Sequence, residues 1–274
     1  MRWMADLSQR ITIDGAELAW DSWGEGDGPP LLLIHGFSGS SHDFALVVDE
    51  LARTRRVLAV DHVGHGLSTK LGAAGGYSLS RLAADVGAFV DAVVGGPVDV
   101  LGHSMGGYLS MLLVLDRPEL VRSLTLMDTS GWGFAAGEVQ ELMQAFLAGF
   151  DPANHDRPVN PPGPERALVD AATPAEWRDV KALRDEAFDL YALKALGLEL
   201  LGPDLPSLRE PLGGVTVPVT VIVGSEDGEL AVQAPDLAAC FPNGELVTIA
   251  GAYHSPQLTH RDEWLTAVER HLSR

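Results

Sequence analysis

The sequence predicts an α/β protein with a mostly parallel sheet that is flanked by helices and interrupted by a helical insertion. Over roughly the first half of the chain, short and continuous apolar runs alternate with helix-like stretches, and this alternation resumes near the C-terminus. Strands that alternate with helices are joined by right-handed crossovers and form a parallel sheet. We therefore expect one sheet domain, formed by 1–128 and 214–274, and a helical cap at 129–213.

The strands of the first half are predicted from their apolar patterns. ELAWDSW at 17–23 alternates apolar and polar residues, as a strand at the edge of a sheet does. Strands that are covered on both faces are apolar throughout. Such runs are PLLLIHG (30–36), RVLAVDH (56–62), VDVLGHS (98–104) and SLTLMD (123–128). The helix-like stretches between them are 43–53, 79–94 and 106–117.

The insertion at 129–213 has no convincing strand. Its helix candidates are 138–150 and about 175–201, and the proline-rich stretch between them is expected to be non-helical because proline interrupts helices. Its aromatic side chains indicate that it folds over the sheet domain. The first pattern then resumes, with strands at VPVTVIVG (217–224) and ELVTIAG (245–251) and helices at 229–241 and 258–272.

Charge and composition argue against several classes of protein. The chain of 274 residues has a formal net charge of −19, whereas a nucleic-acid binder needs a basic surface. We see no secretory signal and no uncharged apolar run near the length of about 18 residues that spans a membrane. Cys240 is the only cysteine. We expect a cytoplasmic monomer or homodimer that acts on a small molecule and binds neither nucleic acid nor membrane.

The pentapeptide GHSMG at 102–106 lies where a predicted strand turns into a predicted helix. Because G-x-S-x-G can arise by chance, its position has to decide its meaning. Open parallel sheets bind ligands at the carboxyl ends of their strands. Side chains at Gly102 and Gly106 would collide with neighbouring backbone in so sharp a turn. The context therefore favours Ser104 as a nucleophile over a structural serine.

A serine hydroxyl needs a base to take its proton, and the base needs an acid to orient it. Among nine histidines, His254 is the favoured base because it follows the last predicted strand, in AYHSPQ. Asp227 follows the preceding strand, in GSEDGEL, and is the favoured acid. Asp128 also ends a strand near the nucleophile and remains an alternative acid.

Two backbone N–H groups, those of Phe37 and Met105, are expected to stabilise the oxyanion that forms during acyl transfer. His35 is expected to brace the Phe37 loop by hydrogen bonds. His62 and His65 form an H-x-x-H pair, but no third ligand stands out, so we expect no metal. Neither nucleotide-binding glycine motif is present, and we expect no cofactor.

Together, these motifs closely resemble the α/β-hydrolase superfamily over 30–128 and 214–272. The segments that carry the resemblance are HGFSGS (35–40), DHVGHGLS (61–68), GHSMGG (102–107), GSED (224–227) and AYHSPQ (252–257). The resemblance implies an eight-stranded, mostly parallel sheet with a helical cap over the pocket. It also implies that Ser104, His254 and Asp227 are nucleophile, base and acid, with Phe37 and Met105 as oxyanion donors.

The activity we expect is that of a metal-free serine hydrolase, which cleaves a carboxylic ester or lactone of a small, largely apolar substrate through an acyl-enzyme. Alternatives on the same fold are hydrolysis of a carbon–carbon bond, enol-lactone hydrolysis and an elimination reaction. A small-molecule receptor without catalysis is a further alternative, which an intact triad makes the weakest.

Overall fold

The sheet begins with a tight hairpin. In the computed structural model, which describes residues 8–154, 164–172 and 187–274, β1 (Gln9–Ile13) pairs antiparallel with the start of β2 (Ala16–Ile34). The two residues between these strands, Asp14 and Gly15, have φ angles of 45° and 74°. Two residues with positive φ match the right-handed twist of the strands that they join. The strand predicted at 17–23 is present and belongs to a hairpin, but its predicted place at the sheet edge is wrong, because β1 pairs with it on its outer side.

β2 occupies two positions in the sheet, one on each side of β3 (Arg55–Val60). Residues 20–23 pair with 57–60 in opposite directions, whereas residues 31–34 pair with the same stretch in the same direction. The remaining strands, all parallel, continue in the order β4 (Val98–His103), β5 (Val121–Met127), β6 (Val219–Gly224) and β7 (Gly244–Ile249). Seven strands thus fill the eight positions that the resemblance implies.

Glycines let the chain cross between the two segments of β2. A Cβ atom on Gly24 would collide with the carbonyl oxygen of Ala52, and one on Gly26 would collide with the backbone of Thr54. The N–H of Gly28 donates to the carbonyl oxygen of Thr54 at 3.2 Å. The residues that join the two segments of β2 therefore pack directly against the chain that enters β3, with backbone against backbone.

Two hydrophobic cores cover the two faces of the sheet. Leu32 and Ile34 belong to the core on one face of the sheet, while Leu31 and Leu33 belong to the core on the other face. This two-sided burial explains why the predicted strands are apolar at every position. The helices of the sheet domain are α1 (Val48–Leu51), α2 (Leu79–Phe89), α3 (Met105–Asp116), α7 (Gly228–Cys240), α8 (Pro256–Thr259) and α9 (Arg261–Leu272).

The helix predicted at 43–53 is shorter than expected. It is replaced by a tight turn at Ser41–Phe44 and the single turn of α1. The N–H groups of Ala45 and Val47 donate to carbonyls only three residues earlier, at 3.0 Å each. Such bonds overwind the backbone and do not extend into long helices. The other predicted helices of the sheet domain are present, with α2 ending in a wider turn at Val90–Val94.

The insertion contains α4 (Gly137–Gly149), α5 (Pro164–Ala172) and α6 (Leu190–Leu200), with no strand among its described residues. α4 confirms the helix predicted at 138–150. α6 falls within the predicted 175–201, of which 175–186 lie outside the described residues. Across the described ranges, no helix combines the length and the hydropathy needed to cross a lipid bilayer.

The expectation that the proline-rich stretch is non-helical is wrong at its C-terminal end. α5 begins at Pro164, the last of these prolines. Proline is tolerated at the first position of a helix because the N–H group that it lacks would have no intrahelical acceptor there. The prediction from proline content was wrong here because proline can occupy the first position of a helix.

Replacing Gly24 with alanine tests the close crossing. Gly24 has a φ of 76° and a colliding Cβ position, whereas Gly15, with a φ of 74°, has no heavy atom within 4 Å of that position. Gly15→Ala is therefore a matched control that suffers backbone strain alone. We expect losses in the free energy of unfolding of about 3 kcal/mol for Gly24→Ala and about 1 kcal/mol for Gly15→Ala. Urea unfolding measures both, and equal losses would contradict the crossing.

Candidate active site

Ser104 lies at the turn from β4 into α3, where the backbone is strained. Its φ and ψ angles are 53° and −121°, a combination that residues with a side chain rarely adopt. A Cβ atom on Gly102 would collide with the carbonyl oxygen of Gly106, and one on Gly106 would collide with that of Ile34. Both glycines of the motif are therefore required by the close approach of backbone at this turn.

Hydrogen bonds hold the strained turn against the end of β5. The N–H of Ser104 donates to the carbonyl oxygen of Met127 at 2.9 Å. The hydroxyl of Thr129 donates to the carbonyl oxygen of Ser104 at 2.6 Å, and the N–H of Gly107 donates to it at 2.9 Å. Within the described residues, all hydrogen bonds of Ser104 use its backbone, which leaves the hydroxyl group free to react.

His254 and Asp227 meet at the carboxyl ends of the parallel strands, where Ser104 also lies. Nδ1 of His254 donates to Oδ2 of Asp227 at 2.9 Å. Asp227 immediately precedes α7, but its side chain does not cap that helix. The loops after β6 and β7 are joined by the N–H of Glu226, which donates to the carbonyl oxygen of Ala252 at 2.9 Å. Asp128 makes no hydrogen bond to His254 in this part of the structure.

Electrostatics favour the charged form of His254. Burial lowers the pKa of the imidazole, but the hydrogen bond to Asp227 and its negative charge raise it, with further contributions from Asp128 where that group is ionised and from Glu165. The balance raises the pKa of His254 to about 9. The side chain is 34 % exposed, so that the imidazole remains in contact with solvent. Glu165 lies on α5, and its Oε1 atom is buried without a hydrogen-bond partner among the described residues.

His103 connects the nucleophile turn to the His254 loop, a role that the sequence analysis missed. Nε2 of His103 donates to the carbonyl oxygen of His254 at 2.7 Å, and the two rings lie 4.8 Å apart. Burial lowers the pKa of His103 to about 4, so that its ring is neutral near pH 7. The sequence feature that could have indicated this role is the histidine immediately before the serine in GHSMG.

The Phe37 loop lies directly against Ser104. A Cβ atom on Gly36 would lie 3.1 Å from Cβ of Ser104. Nδ1 of His35 donates to the carbonyl oxygen of Gly36 at 2.9 Å, and Nε2 of His35 accepts from the N–H of His62 at 3.1 Å. Because the Gly36 carbonyl and the Phe37 N–H share one peptide plane and point in opposite directions, this bond fixes the direction of that N–H. His35 therefore braces the loop, as expected.

The two predicted oxyanion donors remain available. Met105 is the first residue of α3, where an N–H group has no intrahelical acceptor. Among the described residues, neither the Met105 N–H nor the Phe37 N–H donates to a backbone carbonyl. Phe37 and Met105 are the residues that immediately follow Gly36 and Ser104, which are in contact with each other. The positive end of the α3 dipole lies at the Met105 N–H and strengthens its attraction for a negative oxygen.

His62 and His65 pack around His35 as neutral rings. Their centroids lie 4.4 Å and 5.1 Å from that of His35. Burial, together with the neighbouring His35, holds the pKa of both well below the usual 6.5. In the part of the chain that the structure describes, no three side chains of His, Cys, Asp or Glu are placed to hold a metal ion.

The insertion packs over the Phe37 loop. The rings of Phe37 and Phe188 meet edge to face with centroids 5.8 Å apart. A Cβ atom on Gly197 of α6 would lie 2.9 Å from Leu147 of α4 and 3.2 Å from the Phe37 ring. These contacts place an apolar surface beside the Gly36–Ser104 contact.

α6 is fixed to the sheet domain at both ends. At its start, the Asp189 carboxylate accepts from the Tyr77 hydroxyl at 2.6 Å and from the N–H of Gly72 at 3.0 Å. Near its end, the Glu199 carboxylate accepts from the N–H of Leu79 at 2.9 Å. This helix therefore forms a fixed part of the insertion.

Comparison with known proteins identifies the family. A family model for the alpha/beta hydrolase fold matches residues 29–161. A pimeloyl-[acyl-carrier protein] methyl ester esterase of Chromobacterium violaceum is 30% identical over 261 residues, which cover 90% of this chain and 95% of that protein. The chain belongs to the α/β-hydrolase family.

Two further comparisons agree with this assignment. A 2-hydroxymuconate semialdehyde hydrolase of Pseudomonas putida is 30% identical over 253 residues, covering 91% of this α/β hydrolase and 89% of that protein. The crystal structure of a hydrolase from Pseudomonas aeruginosa matches with a TM-score of 0.77 and 26% identity, over 97% of this chain and 98% of the other. This chain covers 68%, 46% and 65% of the lengths of three other curated relatives. These similarities support a hydrolase.

The raised pKa of His254 makes the stability of this α/β hydrolase depend on pH. A histidine whose pKa rises on folding stabilises the folded state fully below its unfolded pKa of about 6.5, and the stabilisation is lost as the pH rises through the folded value. We expect the free energy of unfolding of the parent, relative to that of His254→Gln, to be greatest below pH 6.5 and to decrease toward pH 9. Urea unfolding at a series of pH values measures this difference. A difference that grows with pH would contradict the raised pKa.

Proposed function

We propose that this α/β hydrolase is a serine hydrolase, a carboxylic ester hydrolase that cleaves an ester or lactone of a small, largely apolar substrate. The observation that carries the proposal is the 2.9 Å hydrogen bond between His254 and Asp227, at the sheet edge where Ser104 occupies its strained turn. An imidazole held by a carboxylate is an oriented base, and a serine beside it becomes a nucleophile.

In the proposed reaction, Oγ of Ser104 attacks the acyl carbon while Nε2 of His254 takes its proton. Asp227 accepts from Nδ1, which fixes the tautomer that leaves Nε2 as the acceptor. The imidazolium then donates the proton to the leaving alcohol. Water, deprotonated by His254, attacks the acyl-enzyme and releases the acid and Ser104. The Ser104 hydroxyl makes no hydrogen bond to His254 in the described structure, and catalytic hydrogen bonds of this kind often tighten only when substrate binds.

The N–H groups of Phe37 and Met105 would bind the negative oxygen of the tetrahedral intermediate. Their proposed role is supported by the contact between Gly36 and Ser104 and by the absence of backbone acceptors for both groups in the described residues. The removal of one such donor typically lowers turnover by about 10²–10³-fold.

The apolar character of the substrate is inferred from the insertion. Phe188 and Leu147 lie beside the Phe37 loop, and we propose that the insertion at 129–213 is the cap that covers the substrate. One relative carries the name of a methyl ester esterase. We further propose a cytoplasmic monomer or homodimer with a small-molecule substrate and no nucleic-acid or membrane partner.

Hydrolysis of a carbon–carbon bond is the second candidate. One relative is named a 2-hydroxymuconate semialdehyde hydrolase, and that substrate contains no ester group. A panel with acyl esters of graded length, one lactone and one vinylogous diketone separates the two candidates. We expect kcat/KM to be highest for an ester or the lactone, whereas turnover of the diketone alone would favour the second candidate.

Ser104→Ala tests the nucleophile. We expect kcat/KM for a p-nitrophenyl ester to fall by on the order of 10⁶-fold because no acyl-enzyme can form. A fluorophosphonate should label the parent but not Ser104→Ala. The control is Ser80→Ala, which replaces an exposed serine on α2 and should still be labelled. Full activity in Ser104→Ala would reject the proposal, and an unlabelled parent would favour a receptor.

The pH profile of hydrolysis tests the base. His254 must be neutral to accept the Ser104 proton, and its pKa is raised to about 9. We therefore expect kcat/KM to fall on the acid side of a pKa that lies above 6.5, as measured with the same ester in constant-ionic-strength buffers. An acid limb below pH 6.5 would show that Asp227 does not raise the pKa of the working base.

A further inference from the structure

Asp128 is a second carboxyl group at the candidate active site, and the proposed reaction does not use it. It follows β5, has a φ of 45°, and is fully buried, with 0% exposure. Its Oδ1 atom accepts from the N–H of Gly224 at 2.8 Å. Gly224 ends β6, three residues before Asp227. One oxygen of Asp128 therefore holds the start of the loop that carries the proposed acid.

The other oxygen of Asp128 has no conventional donor. Within the described ranges, no N–H or hydroxyl group donates to Oδ2, although the atom is buried. Besides the Gly224 N–H, the Asp227 carboxyl group lies within hydrogen-bonding reach of the Asp128 side chain. Two ionised carboxylates cannot bond to each other, and their repulsion would be strong where water is excluded. A single proton between the two side chains converts this repulsion into a hydrogen bond.

The surroundings of the two carboxyl groups decide which one holds the proton. Asp227 accepts from Nδ1 of His254 and keeps 13% of its side chain exposed, so that a negative charge on Asp227 is stabilised. Asp128 has a single N–H donor and no exposure. The charge therefore belongs on Asp227 and the proton on Asp128.

We propose that Asp128 is a neutral carboxylic acid at neutral pH and donates a hydrogen bond from Oδ2 to Asp227. Asp128 is then a positioning residue, since it orients the carboxylate that orients His254. Burial raises the pKa of Asp128 well above its usual value, the charge of His254 lowers it, and the charge of Asp227 raises it. Asp227 and His254 are the charged side chains that act on Asp128 in the described structure, while Glu165 and the neutral His103 face His254.

This inference rests on the proposed function for its kinetic test, which compares Asp128→Ala with Asp128→Asn. Alanine removes the donor, and we expect kcat for a p-nitrophenyl ester to fall by about 10²-fold with little change in KM. Asparagine keeps both bonds, since its carbonyl accepts from Gly224 and its NH₂ group donates to Asp227. We expect Asp128→Asn to restore most of the lost kcat.

The acid limb of kcat/KM separates a neutral Asp128 from an ionised one. When Asp128 is already neutral, Asp128→Asn removes no charge, and the acid limb should coincide with that of the parent. When Asp128 is ionised, the substitution removes a negative charge near His254 and shifts the limb to lower pH. Such a shift, or activity in Asp128→Ala equal to that of the parent, would overturn the proposal.

A measurement without turnover keeps this proposal separate from the serine mechanism. The infrared difference spectrum between the parent and Asp128→Asn at pH 7 should show the carbonyl stretch of a protonated carboxyl group that the variant lacks. The absence of that band, with Asp128→Asn folded as judged by urea unfolding, would overturn the proposal. If Ser104→Ala instead proves fully active, the proposed function fails while the spectrum still reports the proton on Asp128.

Discussion

The close approach of backbone at the end of β4 is the constraint on which the candidate site depends. Ser104 has a φ of 53°, and the turn requires glycine at positions 102 and 106 because any side chain there would collide with neighbouring backbone. Hydrogen bonds from the end of β5 offset the strain, since Met127 and Thr129 bond to the Ser104 backbone. The same strands that bury the core therefore hold the proposed nucleophile, whose hydroxyl makes no hydrogen bond among the described residues.

Histidines serve two different purposes around this turn, and their surroundings decide which. His35 and His103 are buried and bond to backbone carbonyls. These bonds fix one loop on each side of Ser104. His254 bonds to a carboxylate and remains partly exposed, so that it can gain and lose a proton. Buried rings thus support the site while a single, partly exposed ring carries out the proposed proton transfer.

The sequence was sufficient for features that depend on local pattern or on a short motif. Apolar runs marked the buried strands, and the GHSMG turn marked the end of β4. Sequence failed where a feature depends on exact position or on distant partners. The proline-rich stretch concealed α5 because a proline at its first position starts the helix. The role of His103 depends on a carbonyl 151 residues away, and the Asp128 environment depends on β6.

The carboxylate of Glu165 on α5, which acts on the same imidazole as Asp227, has a consequence for product departure. Ester hydrolysis turns a neutral substrate into an anionic acid. This anion would form near Glu165 and inside a protein with a formal net charge of −19, so that both local and long-range repulsion disfavour its rebinding. For the proposed reaction, the acidity of the chain would thus limit inhibition by its own product while leaving the uncharged ester unaffected.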